Sequence, residues 1–335
     1  MNSIKRKCLG ILAFIVFPLF VLGCSPKNNN EVKTTEEIKL SSGAVLKSED
    51  GNYKLYDYEN GEYTLKDTSS VVLAYDKNTS SYIAVEDGKR YVVHDGYKLE
   101  IKDDGYIDLK LSPDASYISY FIDNDGLKLK IFETSGNKEI DINSNVTISG
   151  SLYDWYNQDM IVYYGVSNDG INGLFTYNIK ENKEELLYKI DEGYLAFLKG
   201  TVDNILFIQL TLENNKELMM IDKNTKEVKL LSDKIEELSD IIVHDNKVYF
   251  TGKISGDSNS LYQLSNNKIK RLIFDFPMIV QIDKGLKIDE NGDILFIGSN
   301  DGNLNKQQVY KYSKDGTTSV VSKDGIDYEF LDYRS

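Results

Sequence analysis

One short unit recurs along the chain and constrains its fold more than any other feature. The unit is an apolar strand, a tight polar turn and a second apolar strand. Its clear copies are LYDYENGEYTL (55–65), IFETSGNKEIDI (131–142), TYNIKENKEELL (176–187), MIDKNTKEVKLL (220–231), YQLSNNKIKRLI (262–273) and YKYSKDGTTSVV (310–321), and a weaker copy is YVVHDGYKLEI (91–101). The mean interval between copies is about 42 residues, the length of one four-stranded propeller blade. The spacing therefore predicts a β-propeller.

The rest of the sequence after residue 42 agrees with an all-β fold. Short runs rich in Tyr, Ile, Val, Leu and Phe alternate with turns of Asn, Asp, Gly and Lys, and only Pro113 and Pro277 interrupt this region. Such alternation with few prolines is typical of many uninterrupted strands. We expect seven blades in residues 43–335, or six if the weak copy within 70–101 is irregular.

The two ends of this region predict how the ring closes. The first copy, within residues 43–66, lacks a strand that could serve as the inner strand of its blade. The chain ends in GIDYEFLDY (325–333), in which Ile326, Tyr328 and Phe330 alternate as in a strand. Because an open ring would leave two unpaired sheet edges, we expect this C-terminal strand to complete the first blade.

The amino terminus has the three zones of an export signal. Three basic residues at 5–7 precede an apolar run over 9–22, which is shorter than the ~20 apolar residues that a membrane-spanning helix needs. The run ends in Val-Leu-Gly-Cys, which resembles the lipobox of bacterial lipoproteins. A transmembrane anchor or a simple secretory peptide is the alternative.

The lipobox resemblance implies a layout for the first part of the chain. Residues 1–23 would be a signal peptide, and Cys24 would carry a lipid (diacylglycerol and palmitate) that holds the protein on the extracytoplasmic face of the cell membrane. Residues 24–42 are polar and lack apolar periodicity, which predicts a flexible tether between the lipid and the propeller.

Charge and residue usage exclude several classes of function. The chain has 39 basic and 53 acidic residues, and without residues 1–23 its net charge falls from −14 to −17. Such an acidic protein repels phosphate backbones, so nucleic-acid binding is disfavoured. With only 2 Cys and 2 His, we expect no metal, no cofactor and no histidine-based catalysis. We also expect the protein to be a monomer.

Two segments resemble strands of known propeller families. LSPDASYISY (111–120) is similar to the SPDG-type strand and turn of TolB-type propellers, with Ala115 in place of Gly. VYFTG (248–252) resembles the YWTD strand of low-density-lipoprotein-receptor-type propellers, with Phe and Gly in place of Trp and Asp. Both resemblances imply the fold and no particular activity.

Acidic residues recur in the loops that join the second and third strands of the predicted blades. Four loops share a (Ser/Asp)-x-Asp-Gly or closely related form, and two others carry a carboxylate at an equivalent place. These candidate ligand residues are Asp50, Asp125, Asp169, Glu213, Asp257 and Asp301. Gathered around one rim, they would concentrate negative potential and attract a cation, a basic peptide or a sugar. The alternative is that Asp-Gly is there because tight turns favour it.

These features favour a binding or scaffolding module for a protein, peptide or glycan of the bacterial envelope. One alternative is an envelope glycan hydrolase with two acidic residues as acid and base, which requires two carboxyl groups about 5–10 Å apart in a pocket. Another is a sensor or signalling lipoprotein. A further set of residues on predicted inner strands would either line the central channel or pack between blades: Tyr153, Trp155, Tyr156, Tyr194, Phe197, Tyr328 and Phe330.

Overall fold

A computed structural model describes residues 32–33, 38–103, 105–123, 126–302 and 306–334. The lipobox and Cys24 lie outside these residues. Within them, no helix has the length and apolar character needed to cross a membrane. The described chain is built from strands, with one short 3-10 helix.

The strands form seven sheets arranged in a ring, so the fold is a seven-bladed β-propeller. Strand β1 (Val32–Lys33) precedes blade 1 in the sequence and pairs antiparallel with the outer strand of blade 2. The strands that follow in blades 1 to 3 are β2 (Val45–Glu49), β3 (Asn52–Glu59) and β4 (Glu62–Leu65); β5 (Val71–Asp76), β6 (Ser81–Glu86), β7 (Lys89–His94) and β8 (Tyr97–Ile101); and β9 (Ile107–Leu111), β10 (Tyr117–Asp123), β11 (Leu127–Glu133) and β12 (Lys138–Ile140).

Blades 4 to 6 each have four strands in chain order. They are β13 (Val146–Asn157), β14 (Met160–Ser167), β15 (Asn172–Asn178) and β16 (Lys183–Lys189); β17 (Tyr194–Gly200), β18 (Asn204–Leu210), β19 (Lys216–Asp222) and β20 (Val228–Ser232); and β21 (Ile235–His244), β22 (Lys247–Ile254), β23 (Ser260–Ser265) and β24 (Lys268–Arg271).

Blade 7 and the chain end complete the ring. In blade 7 the short strands β25 (Ile279–Val280) and β26 (Leu286–Ile288) flank the 3-10 helix (Ile282–Lys284) and both pair with β27 (Ile294–Ser299). The outer strands of this blade are β28 (Gln308–Tyr312) and β29 (Thr318–Val320), and the chain ends with β30 (Tyr328–Phe330) and β31 (Asp332–Arg334).

The C-terminal strand closes the ring in the predicted way. β30 pairs antiparallel with β2, with Phe330 opposite Val45 and Tyr328 opposite Lys47, and so becomes the innermost strand of blade 1. The structure adds a step that the sequence analysis did not predict. After Leu331 the chain continues as β31, which runs parallel to β5 along the inner edge of blade 2.

Seven apolar clusters hold the ring together, one between each pair of adjacent blades. One cluster joins blades 7 and 1 through Val45, Leu295 and Tyr328, so the last interface is packed like the other six. Tyr153 and Trp155 belong to the cluster between blades 3 and 4. Since burial of large apolar side chains is the main stabilising contribution, closure of the ring is stabilised by side-chain packing as well as by strand pairing.

Tight turns with positive backbone φ connect strands within the blades. Asn60 and Gly61 have φ of 54° and 87°, and Asp95 and Gly96 have φ of 49° and 76°. Two successive residues with positive φ define a turn whose twist matches that of antiparallel strands, and Asn-Gly and Asp-Gly are the pairs that adopt it most readily. The polar turn of the recurring unit therefore sets the hairpin geometry.

The packed part of the chain includes residues just before position 43. Ile38 and Leu40 are buried in the cluster between blades 1 and 2, and the Ser41 amide donates a hydrogen bond of 2.8 Å to the Asp57 carboxylate. These residues lie at the end of the segment assigned to the tether, whose length stays a prediction.

Candidate functional site

The acidic loop residues lie on one face of the ring. Each described member follows the second strand of its blade, and these are Asp50 in blade 1, Asp169 in blade 4, Glu213 in blade 5, Asp257 in blade 6 and Asp301 in blade 7. Asp125 lies outside the described residues. We call the face that bears these five residues the acidic face.

The contacts described for these carboxylates lie within their own blades. Asp50 is exposed with φ of 51°. Asp257 accepts a hydrogen bond of 2.7 Å from Arg271 and one of 2.8 Å from the amide of the next residue. Asp301 accepts one of 3.0 Å from the Ser299 hydroxyl. The structure therefore places these residues on a common face, where Asp257 and Asp301 are bound by groups of their own blades.

A cavity of about 510 Å³ opens on the opposite face, at the mouth of the central channel. Successive strands of a blade run in opposite directions, so the loop after a first strand lies at the other end of the blade from the loop after a second strand. Residues 155–158 of blade 4 and 200–204 of blade 5, which end the first strands and form the turns after them, line this cavity. We call this cavity the channel mouth.

Charged side chains from the first strands of successive blades alternate in sign around the channel. They are Lys110 in blade 3, Asp154 in blade 4, Lys199 in blade 5, Asp240 in blade 6 and Lys287 in blade 7. The Lys110 ammonium lies 4.0 Å from Asp154, and Lys199 donates a short hydrogen bond to Asp240. Five blades thus contribute charged side chains to the inside of the ring.

Asp154 joins two blades through backbone hydrogen bonds. Its carboxylate accepts the amide of Trp155 at 2.9 Å and the amide of Gly200, in the next blade, at 2.9 Å. Only glycine fits at position 200, because a Cβ there would stand 2.5 Å from the Trp155 carbonyl oxygen. This close approach of β17 to β13 brings the Gly200 amide to the carboxylate.

Asp240 repeats this arrangement two blades further on. Its carboxylate accepts the amides of Ile241 and, from blade 7, Leu286, both at 2.8 Å. Burial acts to raise the pKa of Asp240, but Lys199 and the backbone donor outweigh it and hold that pKa below its ordinary value. Asp240 is therefore a charged link between blades 6 and 7.

The chain end supplies the remaining charges of the channel. Arg334 of β31 donates to Asp154 at 3.3 Å and to Asp332 at 3.2 Å. Asp154 is only 4% exposed, and although burial acts against its ionised form, Arg334, Lys110 and the two amides bring its pKa to about 2. β31 is thereby bound across the channel to blade 4.

Two lysines at the channel mouth lack a carboxylate partner. Lys223 donates short hydrogen bonds to the carbonyl oxygens of Tyr156 and Thr201 and lies 4.9 Å from the centre of the Tyr156 ring. No carboxylate oxygen within the described residues lies within 4.0 Å of the ammonium of Lys223 or Lys287. Burial lowers the pKa of each lysine to about 8.

The sequence holds a signal for these channel charges that is not evident when the repeats are aligned on their hairpins. The segments IDLKL, YDWY, AFLKG, LSDII and GLKID are the first strands of consecutive blades, and their central charges alternate between Lys and Asp. Aligning the repeats on their first strands rather than on their hairpins would have revealed it. Of the aromatic residues on predicted inner strands, Trp155 and Tyr156 line the cavity.

The described residues contain no cluster of three or more His, Cys, Asp or Glu side chains placed to hold a metal ion. The two histidines lie on distant blades. His94 contacts Ser81 at 2.8 Å in blade 2, and His244 lies 3.4 Å from Asp245 in blade 6.

Comparison with solved structures shows the fold. The β-propeller domain of the Trilobed protease from Pyrococcus furiosus matches with 18% identity and a TM-score of 0.55, over 84% of this chain and 97% of that one. An oligogalacturonate lyase in complex with manganese matches with 12% identity and a TM-score of 0.52, over 87% and 86%. TolB-type propellers are also among the neighbours, such as TolB from Acinetobacter baumannii with 13% identity and a TM-score of 0.44, over 88% and 80%.

No protein-family model matches the chain, and no curated protein sequence matches it.

Proposed function

We propose that this protein is a lipid-anchored, extracytoplasmic binding module that takes up a ligand of the bacterial envelope at the channel mouth. The observation that carries the proposal is the cavity itself, about 510 Å³ in volume and lined by aromatic, amide and charged side chains from several blades. Most ligand sites are concavities of about 300–1,000 Å³ with a few convergent polar groups. The cavity has the size and lining of such a site.

Anchoring is supported by the lipobox-like sequence that ends at Cys24. We expect Cys24→Ala to prevent labelled palmitate from being incorporated and to move the protein out of the membrane fraction. Retention of the C24A variant in membranes that have been washed with high salt would contradict the lipid anchor. This test does not depend on which face of the propeller binds the ligand.

Blade 5 offers a matched pair of positions for testing the binding face. Val202, at the channel mouth, is 75% exposed, and Leu212, in the loop after the second strand of the same blade, is 74% exposed. We expect Val202→Trp to obstruct the cavity and to abolish capture of envelope components by the tagged full chain. Leu212→Trp adds a similar bulk at the opposite end of the blade and should leave capture unchanged.

The acidic face provides the opposing outcome. Replacing Asp50, Asp125, Asp169 and Asp301 by Asn removes four carboxylates from that face. Under our proposal this variant still captures envelope components at the wild-type level. Loss of capture in the quadruple variant together with normal capture by V202W would instead assign binding to the acidic face.

The hydrolase alternative finds less support in the geometry. Burial raises the pKa of Asp108, as an acid catalyst requires, and both Asp108 and Asp154 approach the Lys110 ammonium, at 3.1 and 4.0 Å. However, Asp108 does not line the channel mouth, and Lys110 occupies the space between the two carboxylates. A scaffolding or sensory role remains compatible with the proposed binding site.

A further inference from the structure

The pairing of charges around the channel stops at Lys287. Lys110 pairs with Asp154 of the following blade, and Lys199 pairs with Asp240 of the blade after it. The blade that follows Lys287 is blade 1, and the carboxylate of Glu329 on its innermost strand pairs instead with Lys284, at 3.3 Å.

The other carboxylates near Lys287 are already engaged. Asp240 is bound to Lys199, and Asp332 accepts hydrogen bonds from Arg334. Lys287 therefore lines the cavity as a cation without a counterion within ion-pairing distance in the described part of the chain.

Lys223 presents a second cation without an ion-pair partner to the same cavity. Its hydrogen bonds go to carbonyl oxygens, which are uncharged acceptors. The cavity lining as a whole holds four cationic side chains (Lys199, Lys223, Lys287 and Arg334) and three carboxylates (Asp154, Asp203 and Asp332). Asp240, which is bound to Lys199, raises the number of carboxylates to four, so the charges at this place balance in a protein whose net charge is −14.

We propose that Lys223 and Lys287 bind a small anionic molecule, one that carries carboxylate or phosphate groups, at the channel mouth. Such a ligand supplies the ion-pair contacts that neither lysine makes with the protein, and it forms charge-assisted hydrogen bonds with both ammonium groups. The negative outer surface does not prevent its entry, because salt at physiological strength screens charges over about 8 Å. The inference rests on the binding function proposed above and names its ligand class.

The titration of the two lysines agrees with this role. Burial lowers the pKa of Lys287 to about 8, Asp332 and Asp240 oppose that shift, and Lys199 and Arg334 reinforce it. Burial likewise lowers the pKa of Lys223 to about 8, with Asp154 and Asp203 opposing the shift and Arg334 and Lys226 reinforcing it. Both lysines are still largely protonated at pH 7, and each would gain from a nearby anion. Binding is therefore expected to raise both pKa values and to weaken as the pH rises above 8.

The test uses the full chain in micelles of a non-ionic detergent, with pyrophosphate and citrate as probes in isothermal titration calorimetry. We expect the wild-type protein to bind at least one of the probes with 1:1 stoichiometry. Since each substitution removes a hydrogen bond between charged groups, Lys287→Gln and Lys223→Gln should each weaken binding by about tenfold or more. Lys268→Gln, which removes an exposed lysine of β24, serves as the matched control and should leave the affinity within about twofold of wild type.

Circular dichroism and thermal unfolding verify that each variant is folded. The proposal is overturned if neither probe binds the wild-type chain saturably at concentrations up to tens of millimolar. It is also overturned if the folded K223Q/K287Q double variant binds as tightly as wild type.

Its failure can be told apart from failure of the proposed function. Absence of anion binding with continued, V202W-sensitive capture of envelope components would remove the ligand class and leave the channel-mouth function standing. If the chain binds the anion but V202W does not affect capture of envelope components, the ligand class would stand and the channel-mouth function would be removed.

Discussion

The acidic face and the channel mouth both collect charged residues from several blades, but they hold them in different ways. On the acidic face a carboxylate such as Asp257 binds Arg271 and the amide beside it within its own blade. In the channel, Asp154 binds amides of two blades and the guanidinium of the chain end. A residue that recurs in the sequence, as on the acidic face, indicates a recurring turn. A binding site shared by several blades instead requires side chains that converge in space, as in the channel.

The largest effect on the free energy of unfolding is expected at the chain end, where β30 closes the ring. Tyr328 is 2% exposed and packs between blades 7 and 1, so Tyr328→Ala should lower the free energy of unfolding by about 3–5 kcal/mol. The neighbouring Glu329 is exposed, and Glu329→Ala should change the free energy of unfolding by less than about 0.5 kcal/mol. Urea unfolding measures the free energy of both variants, which can be compared when the m value is unchanged. Equal losses would mean that β30 does not pack as described.

The next effect tests the buried ion pair of the channel. Arg334→Ala leaves the buried Asp154 carboxylate without its closest cation, which should cost about 3 kcal/mol of stability at pH 7. The comparison on the acidic face is Asp301→Ala, for which we expect less than about 0.5 kcal/mol.

The pH dependence gives a separate control for this pair. The folded pKa of Asp154, about 2, lies below its ordinary value of 3.8. Its contribution is therefore present above pH 3.8 and is lost as the pH falls towards 2. The stability gap between wild type and R334A should narrow over that range, and a constant gap would contradict a charge interaction.

A smaller effect of opposite sign is expected at Lys287. This lysine is charged at pH 7 without a counterion in contact. Lys287→Met should therefore raise the melting temperature by a few degrees. The scale is that 1 kcal/mol shifts Tm by roughly 2–4 °C in domains of 150–250 residues. The folded pKa of about 8 lies below the ordinary 10.5, so the unfolded chain binds more protons between those values and wild-type stability rises with pH there. Differential scanning calorimetry from pH 7 to 10 should show the advantage of K287M shrinking. A lower melting temperature for K287M at pH 7 would show that Lys287 is compensated.

The smallest effects are expected on the acidic face. Asp50→Asn and Asp169→Asn keep a side chain that suits turns, and both residues are exposed. Each should change the free energy of unfolding by no more than about 0.5 kcal/mol. A loss above 1.5 kcal/mol in either variant would give the acidic face a structural role like that of the channel.

The sequence predicted the features that depend on local chemistry. The Asn60-Gly61 turn and the alternation of Tyr328 and Phe330 follow from backbone preference and side-chain periodicity, so the seven blades and the closing strand could be predicted from them. The pairing of β31 with β5 could not, because three residues carry no periodicity and parallel pairing leaves no turn to mark it.

The candidate site depends on a different kind of information. Lys287 and Asp240 are 47 positions apart in the sequence. They influence each other electrostatically only because adjacent blades of a closed ring bring their first strands together. At the closure, the carboxylate of Glu329 in blade 1 pairs with Lys284 and not with Lys287. Neither relation can be deduced before the number of blades and the order of closure are known.

The most direct test of the account is site-specific photo-crosslinking on intact cells, with a photoreactive amino acid at position 202 or at position 212 of the full chain. The two positions belong to one blade and are equally exposed, at 75% and 74%, so a difference between them reports only the face. We predict a discrete adduct from position 202 that excess citrate or pyrophosphate suppresses, and none from position 212. A discrete adduct from position 212 alone would contradict binding at the channel mouth.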